Sequence, residues 1–158
     1  MTYPFWLVWL IPITWPVVFP VSYLMNLLVM AFTMKYLKVS DVKKKIKAVS
    51  LRVWVMEGAA GLIGTATMFF ITQLDFSGPG LWWKRICKGL WNNPWNSFGA
   101  FCLVTSCIIL VAFYIYRFNY KWCLQKIDLD DGKRKKLALS LAVFTAPYLF
   151  YLPKEWFY

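Results

Sequence analysis

From Pro4 to Met34 the chain runs without a single charged side chain. That stretch exceeds the ~20 apolar residues a helix needs to cross a bilayer, but falls short of two spans and a turn. Backbone in lipid must satisfy its own hydrogen bonds, and a continuous apolar run of this length reads as helix. Pro12, Pro16 and Pro20 each remove a backbone donor. The run therefore divides into a kinked or interfacial segment over residues 3–15 and a first span over about 16–37, with one long kinked helix as the alternative. Trp6, Trp9 and Trp15 suit the headgroup level better than the bilayer centre.

The rest of the chain repeats this clustering. Hydrophobic residues make up 60% of it and charged residues only 16%, which is too few for a soluble domain of ordinary composition. Further spans are expected over about 53–73, 98–118 and 137–152, the last short and carrying Pro147. Ser77-Gly78-Pro79-Gly80 ends the second span, and Asp130-Asp131-Gly132 turns the chain into the fourth. Between the first two spans, Val39, Val42, Ile46, Val49 and Val53 step by three and four, so that loop reads as helix with one apolar stripe. The expected fold is an all-α integral membrane protein. It forms a single domain over residues 1–158, a four-transmembrane-helix bundle with an interfacial amphipathic helix between the second and third spans.

Charge sets the orientation. The net charge of +11 could suggest nucleic acid as a partner, but the cations sit in short clusters beside the apolar runs. Seven Lys or Arg lie between Lys35 and Arg52 and seven between Arg117 and Lys136; Lys84, Arg85, Lys88 and Lys154 are the rest. Cytoplasmic loops carry the excess of Lys and Arg. The expectation is a multi-pass protein of the cell membrane, both termini non-cytoplasmic and the basic loops against anionic headgroups.

Leu81 to Trp91 is the candidate interfacial helix. Lys84, Arg85 and Lys88 make one face, while Trp82, Trp83, Ile86, Cys87 and Leu90 make the other. A helix lying in the membrane surface has this pattern, so Trp82, Trp83, Lys84, Arg85 and Lys88 are the expected lipid contacts.

The second span carries the most informative stripe. Glu57, Ala60, Gly61, Gly64 and Met68 fall on one side of a helix. Small residues let a neighbouring helix approach closely, within one subunit or across an oligomer face. Glu57 shares that stripe, and an ionisable group in a span is costly unless paired or hydrated. It is placed about a turn from the cytoplasmic boundary, at a depth similar to Arg117, and a buried Glu57–Arg117 pair is expected, with Arg52 as the other candidate cation. Asn26 adds polarity to the middle of the first span.

Catalytic equipment is missing from this inventory. There is no His, and Cys102 and Cys107 lie in an apolar span apart from Cys87 and Cys123, so neither a metal site nor a cofactor is expected. The functional expectation is a non-enzymatic, small oligomeric membrane protein. It would act as a pore or channel subunit, or as a structural subunit assembled with copies of itself or other membrane chains. The alternative is a secondary transporter, or a transporter accessory subunit, using Glu57 and Asn26.

Overall fold

The computed structural model describes residues 12–74 and 81–153, and these are helical with short connections. The expected segment over residues 3–15 lies mostly outside the described residues, as does the break at 77–80. Helix α1 spans Trp15–Tyr36, α2 Val42–Gln73, α3 Trp82–Trp91, α4 Phe98–Phe118 and α5 Asp131–Phe144. Three helical stretches are long and apolar enough to cross a membrane: Trp15–Tyr36, Val42–Gln73, and Phe98–Lys126, which includes the turns that follow α4.

Pro16 opens α1, where its missing N–H costs nothing, and Pro20 is accommodated one turn further in. At its other end Lys38 adopts φ 51°, and its N–H reaches Lys35 O while that of Val39 reaches Met34 O. This is a Schellman stop, with lysine where glycine is usual. Asp41 is also left-handed, at φ 53°, and α2 begins immediately after it. The basic loop helix and the second span are therefore one unbroken helix of 32 residues. The stripe from Val39 to Val53 explains the continuity, because its members all pack on the core.

Helix α3 has the amphipathic pattern expected of it, but the apolar face packs on protein. Trp83 is 8% and Leu90 1% exposed, and Trp83 Nε1 donates to Leu74 O at 2.6 Å. Glycines permit the approach: a Cβ on Gly89 would lie 2.8 Å from Ala100 Cβ, and one on Gly99 2.7 Å from Ile86 Cδ1. The expectation that Trp83 contacts lipid is thus corrected, since its indole is buried and bonded to Leu74 O. Trp82, Lys84, Arg85 and Lys88 remain exposed.

The expected fourth span differs most from its reading. Helix α5 has 14 residues, so it rises ~21 Å against a hydrocarbon thickness of ~30 Å. Asp130 caps it, accepting from Gly132 N, and it ends at Phe144, ahead of Pro147 and the 3-10 turn Tyr148–Tyr151. The chain nevertheless runs the length of α4. Tyr120 donates to Asp131 Oδ1 at one end, while at the other Trp95 Nε1 donates to Tyr151 O and Thr105 hydrogen-bonds Tyr151 Oη. A straight helix from Phe101 to Tyr120 would cover ~28 Å of rise.

The packing closes a ring: α1 lies on α2, α2 on α4, α4 on α5, and α5 back on α1. Between α1 and α2, Trp54 Nε1 donates to Ser22 Oγ and Tyr23 Oη meets Ser50 Oγ, with the rings of Phe19 and Tyr23 edge-on to Trp54. Met30, Met34, Val53, Ala60, Val111 and Leu141 are among the buried apolar side chains inside the ring.

Candidate functional site: the Glu57 cavity

Glu57, Ala60, Gly61, Gly64 and Met68 are all buried, so the small-residue stripe is a helix-packing face within the chain. A Cβ on Gly64 would lie 2.3 Å from Val111 Cγ2 and 3.6 Å from Phe150 Cε2, so only glycine fits there. Cys107 Sγ reaches Gly64 O across this contact at 3.3 Å. The thiol acts as a small core group with a weak donor.

One to two turns away the same stripe borders open space. A cavity of about 530 Å³ lies between α1, α2, α4 and the residues that follow α5. Glu57 and Asn26 both line it, and a Cβ on neighbouring Gly58 would have no atom within 4 Å. Its walls are mostly apolar, including Val21 and Met25 of α1, Val111 and Ile115 of α4, and Phe144. Val21, Met25 and Phe144 are 55%, 45% and 63% exposed, so the opening faces sideways onto the apolar outer surface.

Three uncharged polar side chains surround the carboxylate. Asn119 Nδ2 donates to Glu57 Oε1 at 3.3 Å, and Asn26 and Thr145 flank the same group. Asn119 is fully buried because it continues, at a spacing of four, the buried stripe of Val111 and Ile115 on α4, and a π-helical turn, Asn119–Cys123, starts at it. Such single turns recur at functional sites. Thr145 sits where α5 stops, its N–H and Oγ1 both bonding Leu141 O. Asn26 is 2% exposed, and its Nδ2 has no hydrogen-bond partner; the same holds for Asn119 Oδ1.

The expected partner of Glu57 is corrected. Arg117 and Arg52 are exposed, and the ion pair among the described residues is Lys135–Asp131, at 2.8 Å on the surface. Glu57 lies beside Asn26, at the middle of α1. Facing explains the change: Arg117 points outward, while Asn119, two residues further along, is buried against Glu57, and a neutral amide costs far less to bury than a guanidinium.

Sequence reasoning missed Asn119 and Thr145. Asn119 follows the expected end of the third span, although its spacing of four from Ile115 and eight from Val111 was a signal that could have placed it on the buried face. Thr145 lies two residues before Pro147, a spacing that signals the end of a helix but not what stands opposite. No protein-family model, no curated protein and no solved structure matches the chain.

Proposed function

We propose that the chain is a cell-membrane protein that crosses the bilayer four times and acts as a secondary transporter or transporter accessory subunit built around Glu57 and Asn26. One observation carries the reading. The intramembrane carboxylate and the buried amide come from different helices, yet they line the same sideways-opening cavity. Transport sites lie near the membrane midplane, where broken helices bring polar groups together, and α5 breaks at Thr145, beside the carboxylate. The oligomeric pore or assembly-subunit reading drew on the small-residue stripe, which is engaged within the monomer.

In this reading the fourth crossing is composite: α5 from Leu137 onward, a break at Pro147, and the 3-10 turn that reaches Tyr151. The loops at 35–52 and 117–136 face the cytoplasm and its anionic headgroups, and both termini lie outside. Lys45→Cys and Arg134→Cys should then label only from the cytoplasmic side and Lys84→Cys only from the outer side. Labelling of Lys45→Cys from outside intact cells overturns this orientation.

The site itself is tested with N,N′-dicyclohexylcarbodiimide, which reaches carboxyls through the bilayer and converts them to N-acylureas. The expected result is one adduct per chain in membrane vesicles, mapped to Glu57 and lost in Glu57→Gln. A Glu57 left unmodified after prolonged exposure would make it a sealed structural group and end the transporter reading.

A further inference from the structure

We infer that the cavity takes an apolar amine carrying a hydroxyl or ether oxygen close to its nitrogen, admitted sideways from the lipid; this rests on the reading of the cavity as a ligand site.

Each part of that class answers a group on the wall. Among the residues lining the cavity there is one carboxylate and neither Lys nor Arg, so no lining cation answers its charge. The C-terminal end of α5, which carries the negative end of the helix dipole, stops at the same place. An occupant with positive charge answers both. Asn26 Nδ2 is a buried donor with no acceptor, and it flanks the carboxylate. An oxygen a few bonds from the occupant's cationic nitrogen would give that donor the acceptor it lacks at full hydrogen-bond distance. The remaining wall, from Val21 and Met25 to Val111, Ile115 and Phe144, offers only apolar surface. A bare metal ion is a poor occupant, because hard cations such as calcium collect six or more oxygen ligands. The volume of about 530 Å³ suits a molecule of drug size. The exposed apolar rim at Val21, Met25 and Phe144 makes the bilayer the route of entry.

The experiment uses propranolol, a naphthyl ether amino alcohol, with the full-length protein in lipid nanodiscs. Propranolol should protect Glu57 from the carbodiimide. Naphthyloxypropanol, which lacks the amine, should not, and tetraphenylphosphonium, a cation with no hydrogen-bonding group, should protect much less. Asn26→Leu should weaken propranolol binding about tenfold in equilibrium dialysis, the effect of one lost hydrogen bond to an otherwise retained ligand. Gly58→Leu, which fills open space without touching the polar groups, should abolish binding while leaving the melting temperature unchanged or raised. That variant keeps the test sharp if Asn26→Leu folds poorly. Equal modification of Glu57 with and without propranolol would overturn the amine assignment and leave the proposed function standing. Protection by tetraphenylphosphonium or by sodium at matched occupancy would overturn it as well. Failure of the carbodiimide to reach Glu57 without any competitor would remove the ligand site and this inference together.

Discussion

Gly58 and Gly64 lie on one helix, six residues apart, and meet opposite surroundings. At Gly64 an added Cβ would strike Val111 at 2.3 Å; at Gly58 it would touch nothing. The stretch around Gly64 is closed by Val111, Cys107 and Phe150, whereas the stretch around Gly58 borders a cavity with a carboxylate in its wall. Close packing is what binds helices where lipid is as apolar as the side chains. A gap on such a face forfeits dispersion contacts and carries no hydrophobic gain to offset the loss. The contrast separates the part of α2 that holds the fold from the part available for a ligand.

The largest expected effect comes from closing that contrast at Gly64. Gly64→Ala should destabilise the protein by ~3 kcal/mol through overpacking, measured by unfolding in mixed micelles. Val111→Ala in the same chain should recover part of the loss. If Gly64→Ala proves neutral, the tight half of the comparison is broken.

Next in size is the polar contact at the cavity. Glu57→Leu and Asn119→Leu should each cost ~1–3 kcal/mol, because each strands a buried partner. The double change should cost less than their sum by at least ~0.5 kcal/mol. Arg117→Gln, at an exposed position, should stay within ~0.5 kcal/mol of the parent. Coupling of Glu57 to Arg117 rather than to Asn119 would reverse the assignment of partners.

Gly58→Ala should have the opposite sign to Gly64→Ala. Alanine is the better helix former by ~1 kcal/mol, and here its methyl meets open space. Thermal unfolding of the two alanine variants side by side reads the comparison directly. A destabilised Gly58→Ala would mean that the space beside α2 closes in the membrane.

The smallest effect lies far from the cavity, at the start of α5. Hydrogen bonds from Lys135 and then Tyr120 hold the Asp131 carboxyl below its ordinary value of 3.8. A carboxyl lowered by folding contributes stability above its unfolded value, and that contribution is lost as pH falls through the lower folded one. Exchange of the Gly132 and Arg134 amides should therefore quicken slightly below pH 3.8 while the α2–α4 contact is unaffected. The site is exposed, so the change is small.

Much of the architecture was legible because the signals are local. Helix α4 covers the residues expected of the third span, Phe98–Phe118, although the helical stretch continues through further turns to Lys126. The stripe from Glu57 to Met68 was visible as spacing, and so was Asn26 as a polar residue in an apolar run. Three other features depended on what lies opposite. The aromatic face of α3 could meet lipid or protein with the same pattern, and Gly89 and Gly99 brought it to protein. Glu57 could pair with any cation of similar depth, but the buried face of α4 presents Asn119 to it while Arg117 faces outward. Residues 137–152 resembled a short span, but they divide into helix, break and 3-10 turn around Pro147.

By itself the sequence determined that this chain is helical and membrane-like, where its long apolar helices lie, and which face of α2 turns inward. Hydropathy and helical period are properties of consecutive residues and need no neighbour to be read. Only the tertiary structure decided that one end of that face is packed shut and the other borders a cavity. Close packing depends on shapes from distant parts of the chain, Val111 and Phe150 against Gly64 in one place and Asn26, Asn119 and Thr145 around Glu57 in the other.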